Sequence, residues 1–477
     1  MACQLPTECL NEILEYLEED KLTLHSCLLV NRLWCKIAIR ILWRNIWNFK
    51  NSYQPRSLRM SLSILSTLIA NLPNESKNLL YENKIFISTP TLNSSSLFNY
   101  AEFCKVLSIN KIVSIIKVVI NDRYGLVVNE IIKMFTNEIT SLEKFTYYYE
   151  HYSHSKIFIP YFPGAKDLSV LCCSSNIPSN FFFKLSQISH NLQTISILFE
   201  DNISNGLKEL IFSQNKLKNL TLSTYDRINW EIIIPAVIKH SQTITKLQLY
   251  SDDNGLPFSF VNSFTNLQKF IFSFIDGVIF EDFKKLQYAN FPKLEILKIP
   301  YQCPKSEYII KFLENNGKNL KMFYVGEKNK ALSSSIAKFC PNIRKLFIIF
   351  NNDEIDILKT IFINCKYLES IKIWCGNGFL IKKEVLETVV NHSPSNFHEL
   401  KMFCSSSSDV SPEDWESFFI GWKNRIPKKL LSLTFIDYIE NNENLEILKK
   451  YKNLGIIKFW TKGFEEEEMD EESDYYQ

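Results

Sequence analysis

Apolar positions near the start of the chain fall at helical spacing. Leu10, Ile13, Leu14 and Leu17 sit at i, i+3, i+4 and i+7 and make one stripe. Pro6 suits a first helical turn, where its missing N–H is no loss, and Glu8 suits the positive helix end. Glu18, Glu19, Asp20 and Lys21 form a polar break, after which Thr23 stands where a cap is expected. The spacing predicts a second helix from about Leu24 to Trp34 and a third completing the unit through Trp47. Cys27, Val30, Trp34, Ile37 and Ile41 recur at alternating intervals of three and four, while Leu28, Leu29 and Leu33 fill a second face. A helix apolar on two faces needs two things to pack against. A unit of ~40 residues is too small to supply both. One face is therefore expected to meet another protein; the alternative is a helical hairpin that caps the rest of the chain.

From residue 142 a second pattern takes over: apolar, two others, apolar, one other, apolar. Leu142, Phe145 and Tyr147 give the first copy. Leu192, Leu217, Leu267, Leu294, Leu320, Ile343 and Leu368 open further copies, and looser ones begin at Ala165, Ile244, Phe397, Leu430 and Leu454. The mean period is about 26 residues, within the 20–29 of leucine-rich repeats. The last apolar pair of each copy alternates with period two, which marks a short strand with one buried face. One strand and one return segment cannot bury that face alone. Stacked neighbours can, which predicts an α/β solenoid with a parallel sheet on its concave face. The Asn or Cys expected three residues beyond the last apolar position is mostly missing, with Asn351 the exception, so irregular curvature is expected.

The N-terminal residues also carry a resemblance. Leu5, Pro6, Glu8, Ile13 and Leu17, then Leu28-Leu29-Val30-Asn31-Arg32-Leu33-Trp34, Ala38 and Leu42-Trp43, together resemble the F-box motif. With the repeats, the chain is similar to F-box proteins with leucine-rich repeats, the substrate receptors of SCF-type cullin–RING ubiquitin ligases. The resemblance implies a three-helix module that docks a Skp-type adaptor and, through it, a cullin. By position, Leu5, Pro6, Leu29, Val30 and Trp34 would face that adaptor. Trp34 is the expected hot spot.

The intervening segment is less regular. Arg56–Leu72 reads as a helix stopped at Leu72-Pro73-Asn74, residues 89–96 as a loop, and Phe103–Ile120 and Asn129–Ile139 as amphipathic helices. These belong either to degenerate first repeats or to an N-terminal cap. The expected organisation is an F-box at 1–47, a helical linker or early repeats at 48–140, leucine-rich repeats at 141–462 and an acidic tail at 463–477.

Charge refines the expected binding face. The net charge of +2 conceals a tail whose residues 465–477 are acidic without a single basic group, so the body carries about +10. On the expected wall stand Lys246, Lys269, Lys298, Lys345 and Lys372, interleaved with Tyr250, Tyr324, Phe347 and Trp374. Lysines beside aromatic anchors suit an acidic or phosphorylated protein segment. Equally, they fit a solubilising strand surface. The modest positive charge and the acidic tail argue against a nucleic-acid partner. The tail itself reads as a solvated end, or as a competitor for the lysines.

No constellation for catalysis stands out. The seven histidines do not pair with cysteines at zinc spacing, and His151 and His154 lie in a Tyr-rich segment without nearby Cys. Gly376-Asn377-Gly378 without a lysine is a turn signal only. No cofactor or metal is expected, and any enzymatic activity would belong to a complex. Twelve scattered cysteines without framework spacing, no signal-peptide pattern and no apolar run of membrane length lead to an expected cytoplasmic or nuclear location with reduced thiols. In the adjacent pair Cys172 and Cys173, one is expected to be buried and one facing out. The expected role is that of a substrate receptor; the alternative is a repeat scaffold with no ligase role.

Overall fold

The computed structural model describes residues 5–47, 55–85, 97–120, 124–148, 163–200, 203–224, 230–251, 258–274, 281–404, 410–437 and 442–463. The acidic tail beyond Gly463, the loop expected at 89–96 and the His151–His154 pair lie outside these residues. The chain divides into two compact units, Met1–Ser223 with Pro235–Val237, and Thr224–Ile234 with Ile238–Gln477.

The first unit opens with helices α1 (Thr7–Glu15), α2 (Lys21–Cys27) and α3 (Arg32–Arg44), followed by α4 (Pro55–Asn71) and α5 (Asn74–Glu82). The second helix stops earlier than its apolar spacing predicts. Asn31 caps α3 by accepting from the N–H groups of Leu33 and Trp34, at 2.9 and 3.0 Å. The series from Cys27 to Ile41 is thereby split between two helices, and Trp34 belongs to the third. Asp20, not Thr23, caps α2: its carboxylate accepts from the Thr23 N–H at 3.0 Å and from the Thr23 hydroxyl at 2.6 Å.

The stretch expected as one helix from Phe103 instead holds a short 3₁₀ turn (Tyr100–Phe103), strand β1 (Val106–Ser108) and helix α6 (Ile109–Val119); α7 (Tyr124–Glu138) follows. A strand of three residues is too short to show its own alternation, and its apolar residues merged with the helical pattern behind it. Strands β2 (Lys144–Tyr147), β3 (Val170–Ser174), β4 (Thr194–Phe199) and β5 (Asn219–Thr224) continue the sheet in chain order. β1 to β4 pair in parallel. The solenoid therefore begins at residue 106, ahead of the first copy visible in the sequence.

The second unit carries β6 (Lys246–Ser251), β7 (Lys269–Phe274), β8 (Ile296–Ile299), β9 (Met322–Lys328) and β10 (Lys345–Ile349). β11 (Ser370–Cys375), β12 (Glu399–Cys404), β13 (Leu431–Ile436) and β14 (Ile457–Lys462) complete it. Each of these pairs in parallel with the next. Every sequence copy supplies one of β2 to β14, and in the regular copies the three apolar positions form the core. In the looser ones Leu430 and Leu454 are exposed, and β3 takes its core positions three residues later than read, at Leu168, Leu171 and Cys173. Leu294, Leu297 and Ile299 are all fully buried, as are Leu368, Ile371 and Ile373. Burying each such side chain favours folding by about 1.5–3 kcal/mol.

Neighbouring repeats are also tied through the backbone. The N–H groups of Glu295 and Ile296 share the Gln268 carbonyl, and those of Lys321 and Met322 share the Glu295 carbonyl. Asn351, the one residue at the expected ladder position, bonds within its own turn, donating to Glu354 at 2.5 Å. Amides at the ends of return helices make the bonds between repeats instead. Asn316 donates to the Ala289 and Phe312 carbonyls and accepts from the Phe291 N–H at 2.7 Å. Gln214 does the same in the first unit with Ser189 and Leu192. Both side chains are buried, where an unmade hydrogen bond is costly. Cys172 and Cys173 are both buried, at 5% and 0% exposure; Cys173 lies in the core row with Tyr147 and Ile197, while Cys172 lies on the other side of the sheet in the row of Thr146 and Ser196, though covered.

Candidate docking faces

The three N-terminal helices have a small core of Leu10, Leu14, Leu24, Cys27, Ala38 and Ile41. Arg44 clamps α3 to α1 with two bonds to the Glu15 carboxylate, at 2.6 and 2.8 Å. Those bonds hold the Glu15 carboxyl below its ordinary range and push the Arg44 guanidinium up. The far side of α3 joins the sheet. The Trp47 indole donates to the Val106 carbonyl at 2.6 Å, the Lys105 N–H donates to the Arg44 carbonyl at 2.9 Å, and Trp43 lies against Tyr100 with ring centres 4.4 Å apart.

With the core filled and one side fixed to the sheet, a set of apolar side chains is left facing solvent. Leu5, Ile13, Tyr16, Leu22, Leu29 and Val30 are all exposed, Leu29 to 89%. Pro6 is exposed and Trp34 half-buried. Leu5, Pro6, Leu29, Val30 and Trp34 thus lie outside the helical core. Sequence spacing alone did not single out Tyr16 and Leu22; both became visible once the core was assigned.

The sheet of the second unit offers a different surface on the side away from its apolar core. Strand pairing sorts the residues there into rows. The row at the strand starts runs Lys246, Lys269, Ile296, Met322, Lys345, Ser370, Glu399, Ser432 and Lys458. The middle row runs Gln248, Ile271, Lys298, Tyr324, Phe347, Lys372, Lys401, Thr434 and Trp460. The lysines read from the sequence as one stripe therefore occupy two rows. Lys246, Lys269 and Lys345 stand at the strand starts, whereas Lys298 and Lys372 lie in the middle.

The two middle lysines are buried, at 5% and 6% exposure. The Lys372 ammonium sits over the rings of Tyr324, Phe347 and Phe403, 5.7, 5.2 and 4.8 Å from their centres. Toward the strand ends the aromatic cluster continues. Trp374 stacks between Phe403, at 4.6 Å, and Phe379, at 5.3 Å. Phe379 is brought there by the turn that Gly376 and Gly378 form at φ of 112° and 76°, backbone that a side chain would strain. Lys328 closes the stack, 3.7 Å above Phe379 and bonded to the Gly378 carbonyl at 3.0 Å. Sequence reasoning found Tyr324, Phe347 and Trp374. It missed Phe379 and Phe403, whose arrival depends on a turn and on strand register.

Among the described residues, no group of three or more His, Cys, Asp or Glu is placed to hold a metal, and no helix is long and apolar enough to cross a membrane. Burial pushes the thiols of Cys104 and Cys365 up to about 12.

Residues 2–48 match the F-box-like family model. No curated protein is similar enough in sequence to count as a relative. Among solved structures, the chain is similar to one from the yeast Rad7 and Elc1 complex (14% identity, 91% of this chain and 87% of that one, TM-score 0.41). It is also similar to an internalin from Listeria monocytogenes (11% identity, 74% and 94% covered, TM-score 0.35). A third is the leucine-rich repeat-containing protein LegL7 from Legionella pneumophila (12% identity, 66% and 88% covered, TM-score 0.30). The chain joins an F-box-like helical segment to a long parallel-sheet solenoid of the leucine-rich-repeat kind.

Proposed function

We propose that this chain is the substrate-recognition subunit of an SCF-type ubiquitin ligase, acting in the cytoplasm or nucleus. Its F-box-like helices dock a Skp-type adaptor and so a cullin; its repeats hold a target protein. The supporting observation is the set of solvent-facing apolar side chains, Leu5, Leu29 and Val30 among them, in helices whose core is already complete. Exposed apolar groups gathered in one short segment mark a surface that another protein covers. Leu5, Pro6, Leu29, Val30 and Trp34 are the adaptor-facing residues in this proposal. The target-facing ones are Lys269, Lys298, Tyr324, Lys345, Lys372 and Trp374. The chain contributes proximity: a held target meets the ligase's reactive thioester at high effective concentration.

The test is a pulldown of the full chain with a purified Skp-type adaptor, beside Leu29→Asp and a Val30→Ala/Trp34→Ala double variant. Both should lose binding by about 30-fold or more, the effect of a ~2 kcal/mol hot spot. Circular dichroism should show both still folded, Leu29→Asp in particular because Leu29 is 89% exposed. A folded wild type that fails to bind the adaptor would leave a repeat scaffold whose helices only cap the sheet.

A further inference from the structure

We infer that the open face of the second unit binds an extended acidic segment of a partner protein that carries an aromatic side chain. The inference rests on the target-holding reading for its biological role, but its chemistry stands on the face itself. Glu399 is the only acid in the two rows described above, against Lys246, Lys269, Lys298, Lys345, Lys372, Lys401 and Lys458. The corresponding positions of the first unit are nearly neutral. There β2 presents Lys144 and Thr146, β3 Val170 and Cys172, β4 Thr194 and Ser196, and β5 Asn219 and Thr221. A uniform solubilising role for strand lysines would not stop between two units of one repeat pattern.

The face is also ordered by kind across its width. Exposed Lys345 and half-buried Lys269 line the strand starts. The rings of Tyr324, Phe347, Phe403, Trp374 and Phe379 form a connected cluster from mid-strand to strand end, with Phe347 and Phe403 buried at its base and Tyr324, Trp374 and Phe379 partly open to solvent. Lys372 is held among those rings, buried, so its charge is fixed in place beneath the open part of the cluster and needs no ordering when a ligand arrives. Residues two apart on a strand are ~6.8 Å apart, so one extended peptide crossing the strands can set carboxylates against the lysines and a ring against Trp374. Complementary charge then sets orientation and on-rate, and the aromatic contact holds the complex.

The probe is a fluorescently labelled synthetic peptide, rich in Glu and Asp with a central Tyr pair, titrated with the full chain and followed by anisotropy. Lys345→Glu/Lys401→Glu should weaken binding by about tenfold or more, two attractions having become repulsions. Lys366→Glu/Lys423→Glu makes the same charge change at exposed sites of the return segments and should change binding by less than about twofold. Replacing the Tyr pair by Ser at constant peptide charge should weaken binding several-fold. The inference is overturned if both lysine pairs act alike, if the Tyr-to-Ser peptide binds equally well, or if duplex DNA of equal charge competes as strongly as the peptide. Leu29→Asp separates the two proposals. It should abolish adaptor capture and leave the peptide titration unchanged, so either result can fail without the other.

Discussion

Glu15 and Arg44 illustrate how single residues fasten the N-terminal helices. Hydrogen bonds from Arg44 hold the Glu15 carboxyl below its ordinary range. A carboxyl with a depressed folded-state value stabilises the fold above its unfolded value, and that stabilisation is lost as pH falls through the folded value. Glu15→Gln should therefore lower the melting temperature of the N-terminal helices at neutral pH. The gap from wild type should close as the solution is taken below the ordinary carboxylate range. Thermal melts followed by circular dichroism at a series of pH values would check this, and a gap independent of pH would show that the ion pair does not act this way. The clamp joins residues 29 apart, and nothing in local spacing marks Arg44 as the partner over Arg40. The cap at Asn31 is different: its type and position were on view, but a continuous apolar pattern ran across it and concealed the break.

At the scale of elements, each strand leans on its neighbours, so damage should stay local. Asn316 is the sharpest case, because one buried amide serves the backbone of the repeat before its own. Asn316→Ala strips partners from the Phe291 N–H and the Ala289 carbonyl. The expected loss is about 3 kcal/mol, at about 1–3 kcal/mol for each buried group left unpaired. Hydrogen exchange should accelerate in β7 to β9 and stay unchanged in β2 to β4; a uniform acceleration would mean the repeats unfold as one body. The strands themselves were readable from the sequence because their period of two and the period of about 26 are both written in apolar residues. The amide bonds between repeats were not, since Asn316 and Gln214 sit at helix ends where no repeat consensus places them.

For the whole molecule, the two proposed docking faces lie on different elements and share no residue. Adaptor capture and peptide binding should therefore be additive: a Leu29→Asp/Lys345→Glu/Lys401→Glu variant should show each defect at the size seen separately. Peptide binding should weaken as salt is raised, while adaptor capture, carried by apolar contacts, should hold. A shared salt dependence measured in one titration series would count against this division of labour.

The sequence by itself determined that the chain holds a helical module followed by a repeat solenoid, and that lysines and aromatics occupy the strand positions between the core residues. Those features follow from local periodicity, which a chain expresses wherever it is placed. Tertiary structure decided which apolar side chains of the module remain uncovered, because that depends on what the core and the sheet have already taken. It also decided that Lys298 and Lys372 are enclosed while Lys345 is exposed. Strand register, not spacing along the chain, determines which ring stands beside which charge.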